Sequence, residues 1–152
     1  MDYTYFNTTE AQSHRGCDQK GNCNQIQSLK QENDITEKII HCSIEVHRYL
    51  GPGLLESIYE ECLCKEFELN NIKYIRQKEI LIIYKGIDLK ENYKIDLLVE
   101  NKIIIELKCV NNILPVHYAQ VLTYLKLLNL NLGIILNFNV DLLKNGIKRI
   151  AL

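Results

Sequence analysis

A chain of 152 residues, 47% hydrophobic and 24% charged, is long enough for one domain with a real core. Eighteen Lys and Arg against nineteen Asp and Glu leave a formal net charge of −1. Bulk electrostatics therefore mark no nucleic-acid partner, and any phosphate contact needs a local basic patch or a metal ion. The opening MDYTYFNTTE has neither a basic nor an apolar leader region, and no apolar run approaches the ~18 residues of a membrane helix. The expectation is a soluble, cytoplasmic protein with no membrane partner.

Residues 1–33 are rich in Asn, Gln, Ser and Thr and lack aliphatic clustering. Such a segment buries too little surface to offset its ordering entropy. It reads as a flexible N-terminal extension, with a helical turn at most near Ile26–Lys30, ahead of a folded domain at 34–152. Asp34 followed by Glu37 resembles a capping box. Ile35, Ile39, Ile40, Val46 and Leu50 then follow at helical spacing, and Gly51-Pro52-Gly53 ends that helix. A second helix, LLESIYEECLCKEFELNN, offers Leu55, Ile58, Tyr59, Cys62, Leu63 and Phe67 as its apolar face and stops at Asn70-Asn71.

The period then changes to that of a strand. KEILIIYKG is a first strand closed by Gly86, and NYKIDLLV and KIIIELKCV form a hairpin around Glu100-Asn101. Beyond Pro115, VHYAQVLTYLKLLNL returns to helical spacing, with Ala119, Leu122, Leu125 and Leu128 turned inward. LGIILNF is a buried strand and GIKRIAL a terminal one. The predicted order, α-α-β-β-β-α-β-(α)-β, describes an α/β protein with a central mixed sheet flanked by helices. The six cysteines, at 17, 23, 42, 62, 64 and 109, contain no CxxC pair and are expected to be reduced, as buried small hydrophobes or tail residues.

The chemistry concentrates in KIDLLVENKIIIELKCV. Glu106 and Lys108 share one face of a strand, with Leu107 on the other. A three-residue loop, Glu100-Asn101-Lys102, sets Asp96 directly across from Glu106, whereas a two-residue turn throws Asp96 to the opposite face. We expect the three-residue loop, with Asn101 or Lys102 in the left-handed region. Two carboxylates that close need a cation. Lys108 supplies one charge. A divalent ion supplies two, and the hard oxygens of Asp96, Glu106 and the Leu107 carbonyl suit Mg²⁺ or Mn²⁺. Taken alone, an exposed cross-strand salt bridge accounts for these residues equally well.

Two further features bear on the choice. The helix after Pro115 sets His117, Gln120 and Tyr124 on one face, able to pack against the end of the Glu-x-Lys strand. Glu56 and Tyr59 stand one turn apart at the start of the second helix, where Glu56 also suits the macrodipole with no further role.

Gly53-Leu-Leu-Glu56-Ser-Ile-Tyr59 resembles the signature of the GxxExxY family, and the likeness continues through KIDLLVENKIIIELK, PVHYAQVLTYLKLLNL and GIILNFNVDLLKNGIKRI, covering roughly residues 35 to 150. That family is grouped with the PD-(D/E)XK nucleases, which implies a restriction-endonuclease-like core. On the resemblance, Asp96 is the first acid, Glu106 the second and Lys108 the lysine. Glu56 completes the metal shell, and Gln120 with Tyr124 resembles the Q-x-x-x-Y helix motif of recombination and repair exonucleases. Ile95 stands where the superfamily's proline often does. The implied activity is Mg²⁺- or Mn²⁺-dependent hydrolysis of phosphodiester bonds in nucleic acid, DNA before RNA, with Lys94, His117, Lys148 and Arg149 as candidates for flanking phosphates. The alternative is a non-catalytic nucleic-acid-binding or accessory module of the same fold, working with a protein partner or a second copy of itself.

Overall fold

The computed structural model describes residues 19–152, with side chains placed from Ile26 onward except at 90–92. Cys17 and the side chain of Cys23, both expected to be reduced, fall outside these. The elements run α1 (Gln19–Leu50), α2 (Glu56–Leu69), β1 (Tyr74–Tyr84), β2 (Ile87–Val99), β3 (Ile103–Lys108), α3 (Pro115–Leu128), β4 (Leu132–Asn137), α4 (Leu143–Gly146) and β5 (Ile147–Ala151). This is the order that hydrophobic periodicity predicts.

The first helix is longer than its apolar pattern. Residues 19–33 are already helical ahead of Asp34, where the helix was expected to begin. Asp34 lies exposed inside the helix and caps nothing, while Thr36 Oγ1 donates to the Glu32 carbonyl at 2.7 Å. Asn33 accepts from Arg149 of β5 at 2.9 Å, and Gln31 from Lys102 at the β2–β3 turn. These polar contacts tether a stretch that carries little apolar surface of its own.

Among the described residues, five strands lie in the order β1-β2-β3-β4-β5, all antiparallel to their neighbours except the parallel pair β3–β4. A parallel pair needs a crossover, and α3 supplies it. Both faces of the sheet are covered. On one, Ile39, Cys42 and Val46 of α1 and Tyr59, Leu63 and Phe67 of α2 pack on Leu97, Val99, Ile103, Ile105, Leu107, Leu132, Ile134 and Leu136. On the other, Val121, Tyr124 and Leu125 of α3 pack on Ile95, Leu98, Ile104, Ile135 and Ile150. This is why β3 and β4 read as unbroken apolar runs rather than alternations. The close approach of α3 to β4 depends on Gly133, where an added Cβ would come within 2.4 Å of Val121 Cγ1.

Some predicted faces shift. In α2, Leu55 and Ile58 are exposed and Cys64 and Glu60 are buried instead; in α3, Ala119 is exposed and Val121 takes the inner position. All four described cysteines are free thiols.

Candidate active site

The β2–β3 hairpin pairs Leu97 with Ile105, Leu98 with Ile104 and Val99 with Ile103, the register of the three-residue loop. Glu100 and Asn101 both have positive φ, 50° and 54°, and the Lys102 N–H donates to the Val99 carbonyl at 2.9 Å. The left-handed conformation thus falls on Glu100 and Asn101, and Lys102 is the extra residue that shifts the register. Continued by one pair, this ladder would set Asp96 opposite Glu106. It stops there instead.

The interruption begins in β1. Gln77 has φ 50°, and the β1–β2 ladder skips the pair it would form with Asp96 while keeping Arg76 with Leu97 and Lys78 with Ile95. Ile95 and Leu98 consequently share the α3 face although strict alternation would separate them, so β2 turns over at Asp96. The freed carboxylate leans into the gap between β2 and β3, where Asp96 Oδ2 accepts the Leu107 N–H at 2.8 Å. Along a strand the N–H and C=O of one residue point to the same edge. The Leu107 carbonyl therefore faces this gap, and the Lys108 carbonyl faces β4, where it accepts from Phe138 N at 2.8 Å.

Glu106 lies on the α3 side of β3 and is only 3% exposed. Its Oε1 accepts from Lys108 Nζ at 2.6 Å. Its Oε2 has no partner, the only fully buried side-chain nitrogen or oxygen among the described residues so left. Burial, reinforced by the Asp96 charge, pushes the Glu106 carboxyl up to about 7 against the pull of Lys108. Asp96 is also raised, by burial, although the Leu107 N–H and Lys108 oppose the rise. For Lys108 burial works against the charge, but its bond to Glu106 and the charges of Glu106, Glu56 and Asp96 outweigh it and raise the ammonium.

Glu56 joins these groups from the opposite layer. The chain enters α2 through Gly51 and Gly53, at φ 68° and 100°. The Tyr59 hydroxyl secures that turn by donating to the Gly51 carbonyl at 2.5 Å and accepting the Leu54 N–H at 3.2 Å. Its ring is buried and stacks on Phe138 with centroids 4.4 Å apart. The spacing Gly53-x-x-Glu56-x-x-Tyr59 thus has a physical reading: the tyrosine anchors the turn from inside, and the glutamate one turn earlier sits at the helix mouth. Glu56 is half-buried; burial and the Asp96 charge raise its carboxyl, while Lys108 lowers it.

From α3, Gln120 Nε2 donates to the Tyr124 hydroxyl at 2.8 Å. Burial raises the Tyr124 phenol, and the charges of Glu106 and Asp96 add to the rise, which puts it beside the carboxylates. His117 is used otherwise: its Nδ1 accepts the Leu114 N–H at 3.1 Å and closes the α3 cap. Lys94 lies 3.8 Å from Glu79. Lys148 and Arg149 belong to the far edge strand β5 and bond Asn145 and Asn33. The structure therefore gathers Asp96, Glu106, Lys108, Glu56, Gln120 and Tyr124, and does not gather the four candidate phosphate contacts around them.

Sequence reasoning passes over three residues of this region. Glu60, one turn beyond Glu56 and 6% exposed, accepts from Arg76 and from Gln77 Nε2, the latter at 2.6 Å. Gln77 Nε2 also lies 3.5 Å from Asp96 Oδ1. Asn137, opposite Lys108 in β4, brackets the chain after β3: Oδ1 accepts from Val110 N at 3.1 Å and Nδ2 donates to Val110 O at 2.8 Å. The burial of Glu60 has a faint signal in its spacing from Glu56; the other two have none.

Among the described residues, no three His, Cys, Asp or Glu side chains form a ready-made metal cage. What is present is smaller: the unpartnered Glu106 Oε2, the Asp96 carboxylate, the Leu107 carbonyl edge and Glu56. Such a set fits a hard cation that keeps several waters, as Mg²⁺ does, and fits zinc poorly.

Residues 33–150 match the PD-(D/E)XK nuclease superfamily, and the chain belongs to it. The mixed sheet flanked by helices is that superfamily's restriction-endonuclease-like fold. No curated protein and no solved structure matches the chain.

Proposed function

We propose that the protein is a divalent-metal-dependent nuclease that hydrolyses phosphodiester bonds in nucleic acid, DNA before RNA, and that within the superfamily it is of the GxxExxY type. The observation that carries this reading is the Glu106 carboxyl. A buried carboxylate with one oxygen unpartnered and its carboxyl held near 7 is costly unless a cation completes it. The preference for DNA rests on the likeness of Gln120-x-x-x-Tyr124 to recombination and repair exonucleases.

Asp96, Glu106 and the Leu107 carbonyl would hold Mg²⁺ or Mn²⁺, with Glu56 closing the shell. Such an ion supplies Lewis acidity toward a phosphoryl oxygen and lowers the pKa of a water. The chain's own groups do the positioning. Lys108, kept charged by Glu106, orients the attacking water and offsets charge developing on the phosphate. The Leu107 N–H fixes the rotation of the Asp96 carboxylate. Gln120 and Tyr124, bonded to each other, wall the site on the α3 side.

The test is cleavage of labelled single- and double-stranded DNA by the purified full chain with Mn²⁺ or Mg²⁺, with Asp96→Ala and Lys108→Ala alongside. Metal-dependent cleavage that disappears in both variants is the expected result. Equal cleavage by all three proteins overturns the assignment, and neither cleavage nor metal binding favours the accessory module.

A further inference from the structure

The Glu60–Gln77 pair lies outside the residues assigned a role above, yet it ends on one of them. Asp96 has its Oδ2 held by the Leu107 N–H, which leaves Oδ1 to other partners. The Gln77 amide lies 3.5 Å from Oδ1, at the outer limit of a hydrogen bond. The same amide nitrogen donates to Glu60 Oε2 at 2.6 Å. Both neighbours are carboxylates, which only accept, so the Gln77 nitrogen rather than its oxygen must face them. Its two hydrogens then serve the two acids.

Glu60 is itself held. Arg76 Nε bonds its other oxygen, and the second arm of the same guanidinium bonds Glu61. Two consecutive residues of β1 thus grip one buried glutamate of α2, and only the left-handed turn at Gln77 makes this possible. In a regular strand their side chains would point to opposite faces. A non-glycine residue at φ 50° is strained and persists where its surroundings over-determine it. Here the surroundings are Glu60 on one side and Asp96 on the other.

We infer that Gln77, anchored on Glu60, is a positioning residue for Asp96: its amide sets the direction of Oδ1, the oxygen offered to a cation. The inference rests on the metal-dependent reading above and deepens it. The α2 glutamates then divide the work. Glu56 at the helix start faces the site directly, and Glu60 one turn later faces it through Gln77. The strained turn in β1, the turnover of β2 at Asp96 and the splayed hairpin become one device for aiming a carboxylate.

The experiment compares Mn²⁺ binding by the full wild-type chain, Gln77→Gly and Asp96→Ala, with urea unfolding of each and DNA cleavage across a Mn²⁺ series. Glycine accepts the φ of residue 77, so Gln77→Gly removes the amide and relieves the turn without opposing the fold. It is expected to stay folded, with the relieved turn offsetting part of the lost Glu60 contact, and to bind Mn²⁺ about tenfold to a hundredfold more weakly. Its cleavage should recover at high Mn²⁺, whereas that of Asp96→Ala should not; the urea curves separate this recovery from metal stabilisation of a weakened fold. Wild-type affinity in Gln77→Gly beside a clear loss in Asp96→Ala overturns the role of Gln77 and leaves the site intact. Wild-type affinity in both overturns the metal site and the positioning role together.

Discussion

Two buried glutamates flank Asp96 and its neighbours, Glu60 from α2 and Glu106 from β3, and the protein treats them oppositely. Glu60, on α2, has both oxygens occupied, one by Arg76 and the other by Gln77. Glu106, on β3, has Lys108 on one oxygen and nothing on the other. A fold that fully satisfies one buried carboxylate can evidently do so, and leaving the second half-satisfied beside a third acid is not what stability alone selects. On the proposed reading, Glu60 belongs to the scaffold that aims Asp96, and Glu106 to the chemistry.

The sharpest break of this comparison is in activity. Glu106→Gln should lower cleavage by about two to three orders of magnitude, the scale on which a site loses a dedicated electrostatic group, while the protein stays folded. Parallel rate and urea-unfolding measurements check both halves.

Removing the cation from the pair comes next. Lys108→Met leaves Glu106 buried with no counter-charge and should destabilise the protein by about 3–5 kcal/mol near pH 8, read as a drop in the urea midpoint. The double variant Lys108→Met/Glu106→Gln should recover much of that loss.

Stability against pH separates the two acids further. The Glu106 carboxyl is raised from 4.5 to about 7 on folding, so the folded state holds this proton more tightly than the unfolded chain. Stability then falls as pH rises from about 4.5 to about 7 and is flat above, a change on the order of 3 kcal/mol. Glu106→Gln should flatten that slope, and Mn²⁺ should restore stability at pH 8 but not at pH 5, where the proton competes.

The smallest effect belongs to the satisfied acid. Glu60→Ala should cost about 1–3 kcal/mol, since it leaves the Gln77 amide and Arg76 without their shared acceptor, and the pH slope should remain. If Glu60→Ala removed the slope and Glu106→Gln did not, the roles given to the two glutamates would be reversed.

Much of this was legible before any coordinates. Parity along the strands, together with the demand that Asp96 reach Glu106, selects the three-residue loop, and the observed pairing of Val99 with Ile103 agrees. Gly51-Pro52-Gly53, Asn70-Asn71 and Pro115 mark element ends because their backbone preferences are intrinsic. The extent of α1 was not legible, because residues 19–33 hold their helix without an apolar stripe. Nor was the turn at Gln77: nothing in RQKE distinguishes a glutamine that takes a left-handed conformation, since the cause lies across the sheet in Asp96 and across the layers in Glu60. Glu60 itself stands in a run of charges, ESIYEECLCKE, where an exposed face is the ordinary reading. Its burial depends on where β1 brings Arg76.

The account turns on what the bare oxygen of Glu106 is for. The most direct measurement is anomalous diffraction from crystals soaked in Mn²⁺ near pH 8. The account predicts a single strong peak within coordination distance of Glu106 Oε2, Asp96 and the Leu107 carbonyl. A soaked crystal with no peak there, and Glu106 Oε2 still without a partner, would contradict it.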